Sequence, residues 1–193
     1  MEREERTFIE ENGFTLVEVL VAALILSFLI IAICAFMTTG SNLYKKSSRE
    51  VDLQQEAQVA MNQLNDMILS ANRFTVVYRN KGLQDEVAIM YSQTTEEINT
   101  KVNYCIIWIK EREKLYFLKK DADFTFTGTE SEMMDLCSVV TDEENLMAQH
   151  IESMQIDTSE LVNNQAVSIT TDFVIQDNTY EVTKQIKLRN KQE

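Results

Sequence analysis

The sequence predicts an α+β protein in which one long amino-terminal helix, its first half transmembrane, packs on an antiparallel β-sheet. Three observations predict it. Val19 to Met37 is a run of nineteen uncharged residues, interrupted only by Ser27 and Cys34. Ala57, Ala60, Met61, Leu64, Met67, Ile68 and Ala71 then recur at the three- and four-residue spacing of an amphipathic helix. From Phe74 onward the period shifts toward two, with short apolar runs between turn residues.

The apolar run comes first. Its length matches the ~20 residues needed to cross a bilayer core. Such a segment must be helical in lipid, because its backbone has no water to bond to. No Pro occurs anywhere in the chain, so nothing in the run breaks the helix. Glu18 is the exception: a carboxylate one turn inside the apolar stretch costs on the order of a few kcal/mol unless it snorkels to the interface or finds a cation.

Gly13-Phe14-Thr15-Leu16-Val17-Glu18 followed by this helix resembles the processing signal of type IV pilins and type II secretion pseudopilins. The resemblance covers residues 13 to about 37. It implies that residues 1–13 are a prepilin leader and that a membrane prepilin peptidase cuts between Gly13 and Phe14. It implies N-methylation of Phe14, and pairing of Glu18 with the Phe14 amino group of a neighbouring subunit during assembly. The implied partners are other pilin subunits, an inner-membrane assembly platform with its ATPase, and membrane lipid. The implied location is the cytoplasmic membrane, single-pass with the carboxy-terminal domain outside, and then a surface filament. The sequence departs from the family pattern in two ways. The leader holds five acids and only Arg3 and Arg6 as bases, while Lys45, Lys46 and Arg49 follow the span. Charge counting therefore does not favour the required orientation, and the resemblance sets the topology. Ala35 also stands near the place where many major pilins carry a Pro.

The resulting domain division is leader 1–13, transmembrane and assembly helix 14–40, and extracytoplasmic domain 41–193, with helix to 72 and sheet from 73. Gly40 costs a helix roughly 1 kcal/mol and marks a soft point where the helix leaves the membrane. Phe14 to Asn72 would form one helix of 59 residues, about 88 Å at ~1.5 Å per residue.

Composition bounds the function. The chain holds 31 acids and 18 bases, and subtracting the leader's five and two leaves 26 and 16, a net charge of −10. That excludes phosphate-driven DNA binding by this subunit, since such affinity comes from Lys and Arg. No Cys-x-x-Cys pair or Cys/His set suggests zinc. No nucleophile–base spacing or Gly-rich phosphate loop appears, and Gly totals four, so neither an enzyme nor a cofactor is expected. With the domain outside the cytoplasm, Cys105 and Cys137 become the candidate disulfide pair.

The strands follow in order. Phe74 to Arg79 reads as a strand, Asn80-Lys81-Gly82 as a turn, and Glu86 to Ser92 as a second strand. Asn103 to Lys110 contains Tyr104-Cys105-Ile106-Ile107-Trp108-Ile109, so continuous that both faces must be buried, one against the helix and one against something else. Lys110 to Glu113 turns the chain into Lys114 to Lys120, the clearest early hairpin. Asp121 to Gln149 carries eight acids and no Lys or Arg. It reads as a solvated acidic loop with a short strand at Leu136 to Val140. Its spacings do not form a defined calcium cage. His150 to Thr158 is a strand in which His150, the single histidine, reads as a structural or surface residue. Val167 to Ile175 and Tyr180 to Leu188 alternate as a final hairpin about Gln176-Asp177-Asn178-Thr179. A sheet of about five to seven strands results.

The late strands, the acidic insert and the terminal Leu188-Arg189-Asn190 point, within the resemblance, to a J-type or PilW-like minor subunit acting at filament initiation or at the tip. The competing readings are a competence minor pilin within a DNA-uptake machine, and an uncleaved, single-pass, membrane-anchored binding module.

Overall fold

The computed structural model describes residues 14–95, 101–176 and 178–190. The expected leader 1–13 lies outside these residues, as does Asp177 of the last predicted turn. The chain divides into two compact units between Lys46 and Ser47.

Helix α1 spans Leu16–Leu69, 54 residues, and runs unbroken through Gly40. In the first unit its apolar side chains are exposed, from Leu16 to Met37. The hydroxyls in this stretch turn back onto the helix. Ser27 Oγ donates to the Ala23 carbonyl at 2.8 Å, and Thr38 and Thr39 both donate to the Ala35 carbonyl at 2.9 Å. This is how polar side chains satisfy themselves on a helix facing an apolar medium.

In the second unit α1 buries Leu53, Ala57, Ala60, Met61, Leu64 and Ile68; of the predicted stripe, Met67 is half-buried and Ala71 is buried just past the helix end. Its last carbonyls are met by the far end of the chain. Arg189 N–H donates to Leu69 O at 2.8 Å, and Asn190 Nδ2 donates to Ser70 O at 2.8 Å. The terminal residues thus satisfy helix carbonyls that have no partner within the helix.

Eight strands form two antiparallel sheets among the described residues, not one sheet of five to seven. Strands β1 (Arg73–Arg79), β2 (Val87–Thr95), β3 (Lys101–Ile109), β4 (Lys114–Lys120) and β5 (Leu146–Ala148) pair in that order. Strands β6 (Ile151–Asp157), β7 (Ala166–Ile175) and β8 (Asn178–Lys187) form the second sheet, with a one-turn helix at Leu161–Asn164 between β6 and β7. The break falls at His150, which adopts a left-handed backbone with φ 62°. Ala148 still pairs with Leu115, but Ile151 already pairs with Phe173. That bend leaves Ile151 N–H to bond Glu113 O at 2.9 Å. The His150 carbonyl also accepts Val174 N–H at 2.8 Å, so its backbone ties the two sheets at the bend.

Both sheets turn one face to α1. Phe74, Met90, Ile106, Trp108 and Leu115 from the first join Met154, Val167, Ile169 and Phe173 from the second in a single core with the helix stripe. Strand β3 is buried on both faces, as its continuous apolar run requires. Its opposite face, Cys105, Ile107 and Ile109, belongs to a second cluster with Ile89, Tyr91, Tyr116, Met133 and Leu136.

The cover on that second face corrects the acidic-loop expectation. Glu130–Val139 is a helix, α2, and the short strand expected at Leu136 to Val140 is its last turn and C-cap. Met133, Leu136, Cys137 and Val140 lie three to four residues apart, and together they bury one side while the acids face outward. Glu132 ties the helix to its approach by accepting Thr127 N–H at 2.9 Å, Thr127 Oγ1 at 2.7 Å and Gly128 N–H at 3.0 Å. Gly128 has φ +73°, and a Cβ there would meet Val77 Cγ2 at 3.0 Å. A side chain at this position is therefore strained twice over.

The candidate Cys105–Cys137 pair is not bonded, and both are free thiols. Both belong to the second hydrophobic cluster, Cys105 buried on β3 and Cys137 half-buried on α2. Burial pushes the Cys105 thiol up to about 12.

Asp142, just after α2, accepts the Lys114 ammonium and the Tyr116 hydroxyl, the latter at 2.8 Å. These donors hold its carboxyl below the ordinary value of 3.8. A carboxyl depressed in the folded state stabilises the fold above its ordinary value, and that contribution disappears as pH falls through the folded value. The Asp142→Asn variant should therefore lose less of its melting temperature than wild type below pH 3.8. Identical acid limbs for the two proteins in thermal melts would remove Asp142 from the acid sensitivity.

Candidate processing and assembly segment

The segment is built on the first turn of α1. Phe14 and Thr15 precede the helix, and Phe14 is 87% exposed. Thr15 and Glu18 lock together. The Glu18 carboxylate accepts Thr15 N–H at 2.9 Å and Thr15 Oγ1 at 3.0 Å, while Thr15 Oγ1 accepts Glu18 N–H at 3.3 Å. This is a capping box, in which two residues three apart satisfy each other's backbone donors at a helix start. Glu18 also places negative charge where the helix dipole is positive.

The Thr-x-x-Glu spacing was readable in the sequence, but the readings given to Glu18 were a snorkelling carboxylate or one with a cationic partner. The structure adds a local function for the same carboxylate. Gly13, the other residue of the expected cleavage site, lies outside the described residues.

Beyond the cap, the helix is long and apolar enough to cross a membrane, and its apolar residues from Leu16 to Met37 are exposed. Among the described residues, no group of three or more His, Cys, Asp or Glu is placed to hold a metal ion.

Residues 10–33 match the family model described as the prokaryotic N-terminal methylation motif. That match supports a likeness of the amino-terminal segment to those of type IV pilins and pseudopilins. No curated protein and no solved structure matches the chain. The pilin-type segment thus contains Phe14, the Thr15–Glu18 cap and the first half of the apolar run. The fold after it is that of a pilin-like α+β protein, an amino-terminal helix packed on antiparallel sheets. The motif implies processing by a peptidase and assembly with other pilins. The exposed apolar helix is consistent with membrane anchoring.

Proposed function

We propose that this chain is a minor pilin or pseudopilin subunit, cut between Gly13 and Phe14, N-methylated on Phe14, and assembled near the initiating end of a filament. The observation that carries the reading is Glu18. It is the single carboxylate at the head of an exposed apolar helix, inside a segment that matches the methylation motif. The uncut chain is held in the cytoplasmic membrane by residues 14–40, with residues 41–193 outside. Cleavage frees the Phe14 amine. Glu18 then exchanges part of its bonding with Thr15 for the amine of a neighbouring subunit. An unpaired charge in an apolar bundle is expensive, so this pairing sets the register between subunits. A prepilin peptidase and an inner-membrane platform with its ATPase supply cleavage and extraction. The eight acidic residues of 121–149, partly organised by α2, and the Leu188-Arg189-Asn190 closure favour a minor J-type or PilW-like subunit.

The test is the amino-terminal residue and intact mass of the chain recovered from membranes and from sheared filaments. The expected result is a chain beginning at methylated Phe14 and present in both fractions, with Gly13→Leu blocking the cleavage. A chain that still begins at Met1 in cells with active prepilin peptidase would overturn the reading. It would leave an uncleaved membrane-anchored binding module.

A further inference from the structure

Residues 121–145 leave the first sheet at the end of β4 and return to it at β5, which pairs with β4. Between these points Phe124, Phe126, Met133, Leu136, Cys137 and Val140 close over the outer face of the sheet. Beneath them Ile89, Tyr91, Cys105, Ile107 and Tyr116 are fully buried. No side chain of 121–145 belongs to the core on α1, which occupies the opposite face. The two clusters share the strands of one sheet and not one side chain.

The polar contacts of the segment run to that sheet as well. At its entry, Asn103 Nδ2 donates to Asp121 O at 2.6 Å and to Phe124 O at 3.2 Å. At the start of α2, Arg79 Nε lies 3.6 Å from the Glu130 carboxylate. At the exit, Asp142 accepts Lys114 and the Tyr116 hydroxyl, and Phe117 N–H donates to Asn145 O at 2.9 Å. Every one of these partners stands on β1, β3 or β4.

The segment also works against its own closure. It carries eight carboxylates and no Lys or Arg, so like charges gather on it and repel. The cations that meet them, Arg79 and Lys114, come from the sheet, and their partners Glu130 and Asp142 are exposed. Exposed pairs hold weakly. A segment fixed by a few buried side chains and by exposed pairs opens at a lower free energy than the domain unfolds.

We infer that residues 121–145 form a lid that opens as a unit, uncovering the outer face of the first sheet while the core on α1 stays folded. The uncovered face is apolar and carries the Cys105 thiol. The helix stripe and Trp108 belong to the other cluster and keep their packing.

Two residues report the two events separately. Cys105 is fully buried beneath the lid, so its alkylation reads opening. Trp108, the chain's only tryptophan, lies in the core on α1, so its emission reads global unfolding. The test uses the full chain in detergent micelles, carrying Cys34→Ala and Cys137→Ala, with iodoacetamide uptake followed by intact mass. Cys105 is expected to react while Trp108 emission stays native. Leu136→Ala removes lid packing and should speed the reaction about thirtyfold or more. Lys114→Gln leaves every buried apolar contact in place and should speed it about two- to fivefold. Met61→Ala weakens the core on α1 instead. It should lower the denaturant midpoint of Trp108 emission and leave the Cys105 rate within about twofold. Equal acceleration by Met61→Ala and Leu136→Ala would mean that Cys105 is reached only through global unfolding, and would overturn the inference. Unchanged rates in both lid variants would overturn it too.

Discussion

Glu18→Ala is expected to leave membrane insertion unchanged and to remove the chain from filaments. The substitution deletes a carboxylate from an otherwise apolar run, so partition into lipid can only improve. Incorporation is different. In an assembled apolar bundle the neighbouring Phe14 amine would lose its partner, and stranding one member of a buried charge pair costs about 3–5 kcal/mol. At ~1.4 kcal/mol per tenfold, 3 kcal/mol is a loss of about a hundredfold or more in the sheared fraction. The capping box complicates this in a useful way, because Glu18 also holds Thr15. Thr15→Ala removes the cap alone, for which about 1 kcal/mol is typical. It should therefore lower incorporation by less than about tenfold. Immunoblots of membrane and sheared fractions would measure both. Wild-type filament levels for Glu18→Ala would sink the pairing, and equal losses for the two variants would assign Glu18 to the cap.

Trp108→Ala is expected to cost more stability than any surface change. Trp108 is 1% exposed and sits where both sheets meet α1. Truncating a buried aromatic of this size costs about 3–5 kcal/mol. Its indole N–H also donates to Ile151 O at 3.1 Å, the residue at which the chain enters the second sheet. The stranded carbonyl adds about 1–3 kcal/mol. Domains of this size are stable by only about 5–15 kcal/mol in total, so the alanine variant should lie close to unfolding at 37 °C. Trp108→Phe keeps most of the volume and loses the bond, and should cost about 1–3 kcal/mol. Denaturant unfolding followed by circular dichroism would measure both. A loss under about 1 kcal/mol for the alanine variant would show that the sheet junction does not depend on this side chain.

Most of the element pattern was legible in the residues, for a local reason. Helix α1 announced itself through an uncharged run and then a three-to-four repeat. Strands β1 to β4 and the last hairpin announced themselves through alternation and turn residues at Asn80 and Gly82. The both-face burial of β3 was readable because a continuous apolar run has no wet side. Where local chemistry was ambiguous the reading failed. The segment 121–149 looked like a solvated loop because it carries eight acids and no Lys or Arg. Met133, Leu136, Cys137 and Val140 nevertheless find a half-exposed sheet face to cover, and burial against it makes the helix.

The pilin-type segment belongs to what the sequence determined by itself. Gly13, Phe14 and Glu18 lie within six consecutive residues, and their spacing before an apolar helix needs no fold to be recognised. The tertiary structure alone decided the split into two sheets at His150 and the packing of both sheets on one stripe of α1. Each brings together residues many tens of positions apart, such as Trp108 with Ile151 and Tyr78 with Ile156. Periodicity carries the state of a segment, because that depends on near neighbours. Which segments meet depends on how all the apolar faces are buried at once, and no local pattern encodes it.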